Sequence, residues 1–192
     1  MIVDYFLLGL LWLVTSIPVI TFGAATTAAF FTAEKSIHKE NGKMLSTFRK
    51  SFCKEFKQAT LLWVIELVLI VVWVVNAFLL RNIEVNDFIY VLLLLALLIE
   101  LGWIQLWFAY LSKFNDCIKV LLGNTFRITI GKFPIVLLLT LISVIAIVGF
   151  VVALIYISPL PLFIPGIYLF LVGSVFRKIF KEYLPLDTTE DT

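Results

Sequence analysis

Residues 59–80 read ATLLWVIELVLIVVWVVNAFLL, a run with one carboxylate, Glu66, and no Lys, Arg or His. A helix that crosses a bilayer core needs about 20 consecutive, mostly apolar residues. This stretch meets that requirement, and four others repeat it along the chain. They are 5–22, with a continuation to 33, then 88–111, 134–157 and 160–176. Hydrophobic residues make up 62% of the 192 positions, charged residues 15%, and the mean hydropathy is +1.09. Such a chain is not a soluble domain. The reading is an all-α, polytopic transmembrane helical bundle of about five spans. It forms a single integral membrane domain over 1–186, followed by an acidic tail at 187–192 that is too short and polar to pack.

Working outward from 59–80, the polar segments between the spans decide orientation. Lys35, Lys39, Lys43, Arg49, Lys50, Lys54 and Lys57 lie before it, and only Arg81 lies after it. Lys113, Lys119, Arg127 and Lys132 separate 88–111 from 134–157, and Arg177, Lys178 and Lys181 follow the last span. Alternate connections therefore carry fourteen of the fifteen basic residues. Cytoplasmic loops concentrate Lys and Arg, so five spans imply an outside N-terminus and a cytoplasmic C-terminus in a bacterial cytoplasmic membrane. The start, Met1-Ile2-Val3-Asp4, lacks the basic residues of a signal peptide, which favours an uncleaved first helix.

The first apolar stretch contains Pro18 and Gly23. Proline removes a backbone donor and clashes with the preceding turn, so a kink is expected near Pro18, with an Ala/Thr-rich helix after it. The basic segments are patterned too. Phe48, Phe52 and Phe56 recur every four residues, and Arg49, Lys50, Lys54 and Lys57 fill much of the rest. That is a basic amphipathic linker helix suited to lipid headgroups or a partner, or a plain extension of the next span. Phe114, Ile118 and Leu122 give a weaker version of the same pattern. A shift of 78 residues lays Thr47-Phe48-Arg49 on Thr125-Phe126-Arg127 and Lys35 on Lys113, a hint of two parallel halves.

Chemistry is sparse. Glu66 and Glu100 are the carboxylates inside spans, and Gln105 lies at a depth similar to that of Glu66. Intramembrane acids are costly and often functional. Glu66, Glu100 and Gln105 are thus either a proton- or cation-linked polar site or acids satisfied by neighbouring polar groups. Cys53 and Cys117 form no CxxC pair, and His38 is the one histidine, so no metal or cofactor is implied. No GxSxG, HExxH or phosphate-binding motif is present, and the expectation is a protein that is not an enzyme. A net charge of +2 gives no support to nucleic-acid binding.

Two blocks resemble the YesL-like family of bacterial integral membrane proteins. The first is Leu10-Leu11-Trp12 with Ser16-Ile17-Pro18-Val19-Ile20-Thr21-Phe22-Gly23-Ala24-Ala25-Thr26-Thr27-Ala28. The second runs from Phe48-Arg49-Lys50-Ser51-Phe52 through Phe56-Lys57-Gln58-Ala59-Thr60-Leu61-Leu62-Trp63. Ser112-Lys113-Phe114-Asn115 and Lys132-Phe133-Pro134 look like a looser second half. Ala24 stands where the family often has proline. The resemblance implies a membrane protein of undefined biochemistry linked to carbohydrate uptake as an accessory to an ABC-type sugar permease, with Pro18, Thr21 and Gly23 important to the fold. The alternative is a small oligomeric transporter, a homo-oligomer using Glu66 and Glu100.

Overall fold

The computed structural model describes residues 2–37, 44–81, 86–114, 116–156 and 163–183. His38, Lys39, Lys43, Asn115 and the tail at 187–192 lie outside them. The described residues form seven α-helices and no strand: α1 Ile2–Ser16, α2 Phe22–Thr32, α3 Met44–Leu80, α4 Asp87–Leu111, α5 Ile118–Gly131, α6 Phe133–Ile155 and α7 Ile164–Tyr183. A 3-10 turn, Val19–Thr21, joins α1 to α2, and a π-helical segment, Ala33–Ile37, extends α2. Local chemistry explains several ends. The Asn86 side chain accepts a hydrogen bond from the Phe88 N–H and caps α4. Pro134 and Pro165 stand in the first turns of α6 and α7, where no intrahelical N–H is lost.

The first apolar stretch is not one kinked span. Pro18 is extended, at φ −72° and ψ 115°, and α1 stops before it. In a continuous helix Trp12 and Thr26 would stand about 21 Å apart. Instead the Trp12 indole N–H donates to Thr26 Oγ1 at 3.0 Å, and its ring meets Phe22 edge-on at 5.4 Å. The start of α1 likewise packs against the π-helical segment, and Tyr5 shares a small cavity with Phe30, Ala33 and Glu34. The chain therefore doubles back at 17–21, and α1–α2 is a helical hairpin. The sequence left open whether the segment to 33 continues the 5–22 span or lies at the interface; in the structure it returns alongside α1. The physical reason is the missing Pro18 donor together with a polar residue placed to stabilise the reversal. The Thr21 hydroxyl lies 2.5 Å from Thr15 O and 2.7 Å from Pro18 O, and the Thr21 N–H donates to Pro18 O at 2.9 Å.

α2 is the innermost helix, with Gly23 through Phe30 all buried. Small residues let it lie close to α3. A Cβ added at Gly23 would stand 2.6 Å from the Ala59 carbonyl oxygen and 2.9 Å from Trp63 Cβ. α1 crosses α7 at a second close approach, where a Cβ at Gly9 would stand 2.7 Å from Gly166 N. Small residues of this kind allow helix backbones to approach in membranes.

α3 joins the basic linker and the apolar run into one helix. Its buried stripe is Phe48, Ser51, Glu55, Ala59, Leu62 and Glu66, at helical spacing. The stripe stops at Glu66. Beyond it, and over the facing first half of α4, no side chain is buried until Gly102. Residues 67–99 thus include an apolar two-helix arm that extends from the packed bundle. α3, α4 and α6 are long and apolar enough to cross a membrane. α7 and the hairpin helices do not meet that measure, so a count of five such helices is not what the described residues contain.

Polar ties gather at the other end. Lys113 Nζ pairs with Glu34 at 3.2 Å. The Tyr110 hydroxyl donates to Asp116 Oδ2 at 2.5 Å and accepts from Asn124 at 2.8 Å, while Gln58 donates to the Asp116 carbonyl at 2.7 Å. The proposed duplication finds no echo here. Phe48 is buried and Phe126 is 51% exposed, and α3 is continuous where α5 and α6 break at Lys132.

Gly23→Ala should lower stability by about 1–3 kcal/mol, as overpacking does. Gly123→Ala has no heavy atom within 4 Å of the new Cβ and should instead be neutral or stabilising, by up to about 1 kcal/mol. Thermal unfolding of both variants in detergent checks the opposite signs.

Candidate functional site

The helix break opens onto a cavity of about 510 Å³. Six helices wall it: the end of α1, α2, the middle of α3, the second half of α4, the middle of α6 and the start of α7. Pro18 ends α1 beside it, and Trp63 of α3 holds the break in place by donating its indole N–H to Val19 O at 2.6 Å. The Phe22 ring lies tilted at 35° against Trp63, 4.5 Å between centroids. The wall is apolar apart from a few groups: Ser16, Thr26, Glu66, Gln105, Ser143 and Tyr168. Its volume falls within the roughly 300–1,000 Å³ of small-molecule pockets.

Most of these polar groups are satisfied by protein. Thr26 Oγ1 donates to Phe22 O at 2.8 Å while accepting from Trp12. The Tyr168 hydroxyl lies 3.3 Å from Gln105 Oε1, to which it donates, and 3.3 Å from Ser143 Oγ. Ser143 also lies 2.8 Å from Leu139 O. Two atoms differ. Glu66 Oε2 and Ser16 Oγ are buried with no hydrogen-bond partner among the described residues.

The structure brings together two of the three polar residues singled out by sequence. Glu66 and Gln105 share the cavity wall, and Gln105 takes its bond from Tyr168. Glu100 is not on that wall. Its Oε2 accepts from the Trp73 indole across the α3–α4 arm, and its Oε1 is buried without a partner among the described residues. Pro18, Thr21 and Gly23 build the break and the α2–α3 contact. The basic face of α3 is outward, with Arg49, Lys50, Lys54 and Lys57 exposed. Its phenylalanine face is not: Phe48 is buried, and Phe52 and Phe56 are half-buried against the core, in a ring series spaced 6.2 and 5.6 Å. Around α5, Phe114, Ile118 and Leu122 are likewise half-buried. Tyr168 and Ser143 went unread in the sequence. The available signal was a hydroxyl-bearing residue inside each of two otherwise apolar runs. Among the described residues no three His, Cys, Asp or Glu side chains converge as metal ligands would.

Tyr168→Phe keeps the ring but leaves Gln105 Oε1 without its donor, which should cost about 1–3 kcal/mol. Tyr90→Phe, whose exposed hydroxyl reaches Leu80 O at 3.4 Å, should change stability little. Parallel thermal unfolding of the two variants makes the comparison.

No curated protein and no solved structure matches the chain. The stretch that builds α1, the break, α2 and nearly all of α3 is the one that carries a family signature. Residues 5–77 match the model of the family described as "Protein of unknown function, DUF624", the family to which YesL-like proteins belong.

Proposed function

We propose that this chain is a non-enzymatic protein of the bacterial cytoplasmic membrane that assists carbohydrate uptake by binding a partner, an ABC-type sugar permease, within the bilayer. The observation that carries the docking role is the apolar arm of α3 and α4. Val68, Val74 and Phe78 on α3, and Phe88, Val91 and Leu94 on α4, are all more than half exposed. Lipid covers such a surface by default, and transmembrane helices of a partner can cover it equally well. The carbohydrate link comes from the YesL-like resemblance.

The hairpin changes the orientation that the basic residues imply. A chain that doubles back at 17–21 begins α1 on the side where α2 ends. Among the described residues, Lys35, Arg49, Lys50, Lys54, Lys57, Lys113, Lys119, Arg127, Lys132, Arg177 and Lys178 then share one end, with Arg81 at the other. By the concentration of basic residues on the cytoplasmic side, both termini are cytoplasmic. α1–α2 is then a re-entrant hairpin whose α2 is buried and whose tip at 17–20 is exposed, with the freed carbonyls bonded within the protein. α3, α4 and α6 are crossings, and α7, which falls short of the measure those three meet, is the fourth.

The second reading, a small oligomeric transporter, is favoured by one observation: Glu66 lines the cavity and its Oε2 has no hydrogen-bond partner among the described residues. Against it, Glu100 does not line the cavity that Glu66 faces.

Co-purification from native membranes should recover permease subunits, and this should persist in the Glu66→Gln/Glu100→Gln double variant. Solute flux into liposomes by the purified protein, abolished in that variant, would instead establish the transporter. For orientation, Cys53 and Cys117 are exposed, and a membrane-impermeant maleimide should label both only in inverted vesicles. A reporter fused to the N-terminus should be active only in its cytoplasmic form.

A further inference from the structure

The cavity at the helix break has a composition that selects one class of ligand. Glu66 is 3% exposed and its Oε2 faces no protein donor among the described residues. Among the described residues no Lys, Arg or His lines the cavity, so none of them supplies a counter-charge. A buried polar atom left unpaired is disfavoured, and a donor brought by a ligand would relieve it.

The rest of the wall is rich in ring faces. Trp12, Phe22, Phe30, Trp63, Phe108, Phe150 and Tyr168 contribute aromatic side chains. Trp63 precedes Glu66 by three residues on α3, so the two side chains lie on one helical face. Phe22 is packed against Trp63, and Trp12 against Phe22. Aromatic faces carry negative electrostatic potential and attract cations, most strongly where water is excluded. A carboxylate with no protein counter-ion beside several rings, in an apolar cleft of about 510 Å³, is complementary to positive charge on a greasy body. It is poorly matched to a sugar, whose many hydroxyls would meet few partners there. It is also poorly matched to a phosphate or carboxylate, which Glu66 would repel.

We propose that this cavity is a binding site for lipophilic organic cations, such as amphipathic amines or quaternary ammonium and phosphonium compounds, with Glu66 as the anionic contact and the Trp63–Phe22 pair as ring faces. The argument uses the cavity alone and stands apart from the partner-docking role, so either can fail without the other.

The test is equilibrium dialysis of radiolabelled tetraphenylphosphonium against the full chain in nanodiscs of zwitterionic lipid. Triphenylphosphine oxide, which is neutral and similar in shape, serves as the control probe. The wild type should bind the cation saturably and at least tenfold more tightly than the neutral probe. Glu66→Gln, nearly the same size, should weaken cation binding at least tenfold and leave the neutral probe unchanged. Glu100→Gln, outside the cavity, should not weaken cation binding. Phe22→Leu keeps apolar bulk without the ring and should weaken the cation severalfold more than the neutral probe. Equal affinity for the two probes would overturn the proposal, as would undiminished cation binding by a Glu66→Gln variant whose melting temperature matches the wild type.

Discussion

A backbone that leaves the helix inside an apolar environment must find internal partners for the groups it frees. That requirement governs the 17–21 break, on which the rest of this bundle depends. Pro18 cannot continue α1, and its neighbours release carbonyls at Thr15, Pro18 and Val19. The Thr21 hydroxyl serves the first two and the Trp63 indole serves the third. The Val19 carbonyl accepts both from the Phe22 N–H within the turn and from Trp63 of α3, so α3 adds a tertiary tie to a locally bonded reversal. Local sequence and tertiary packing therefore reinforce each other at one point.

From that point the architecture follows. The reversal puts α2 in the centre, where its side chains must be small, and the sequence supplies Gly23, Ala24, Ala25, Ala28 and Ala29. The close α2–α3 approach then buries the stripe from Phe48 to Glu66 and fixes which face of α3 looks inward. The same approach turns the basic residues of 49–57 outward. Where α2 ends its contact, beside Trp63, α3 and α4 lose their partners and continue as an apolar arm. The cavity lies at this junction, because a hairpin shorter than the helices around it leaves space beyond its tip. Trp12, Phe22 and Trp63 serve both the reversal and the cavity wall, so the folding element and the candidate site share residues.

The helical class and the apolar character of α3, α4 and α6 were legible in residues 59–80, 88–111 and 134–157, because hydropathy is a local property. A disruption at Pro18 was legible too, since proline acts on its own turn. Its angle was not. A kink and a full reversal share the same local cause, and the difference lies in the Trp63–Val19 and Trp12–Thr26 bonds, which join residues far apart in the chain. Phenylalanine periodicity at 48, 52 and 56 correctly marked one helical face, but it could not say whether that face meets lipid or protein. The Glu66–Gln105 pairing was half legible. Equal depth brought both to one wall, and Tyr168, from a helix distant in sequence, took the hydrogen bond. Glu100 shows the same limit, since its partner Trp73 lies across the arm and not in the bundle.

The account rests on the hairpin, and one distance tests it. Spin labels at Leu7 and Lys35, in a background with Cys53 and Cys117 replaced by serine, can be measured by pulsed electron paramagnetic resonance in nanodiscs. A continuous first helix would hold the two positions about 42 Å apart, from a rise of 1.5 Å per residue. The hairpin predicts a distance well under half of that, because the start of α1 packs against the segment that contains Lys35. A distribution centred near the longer value would contradict the reversal, and with it the central position of α2, the proposed orientation of the termini and the cavity at the break.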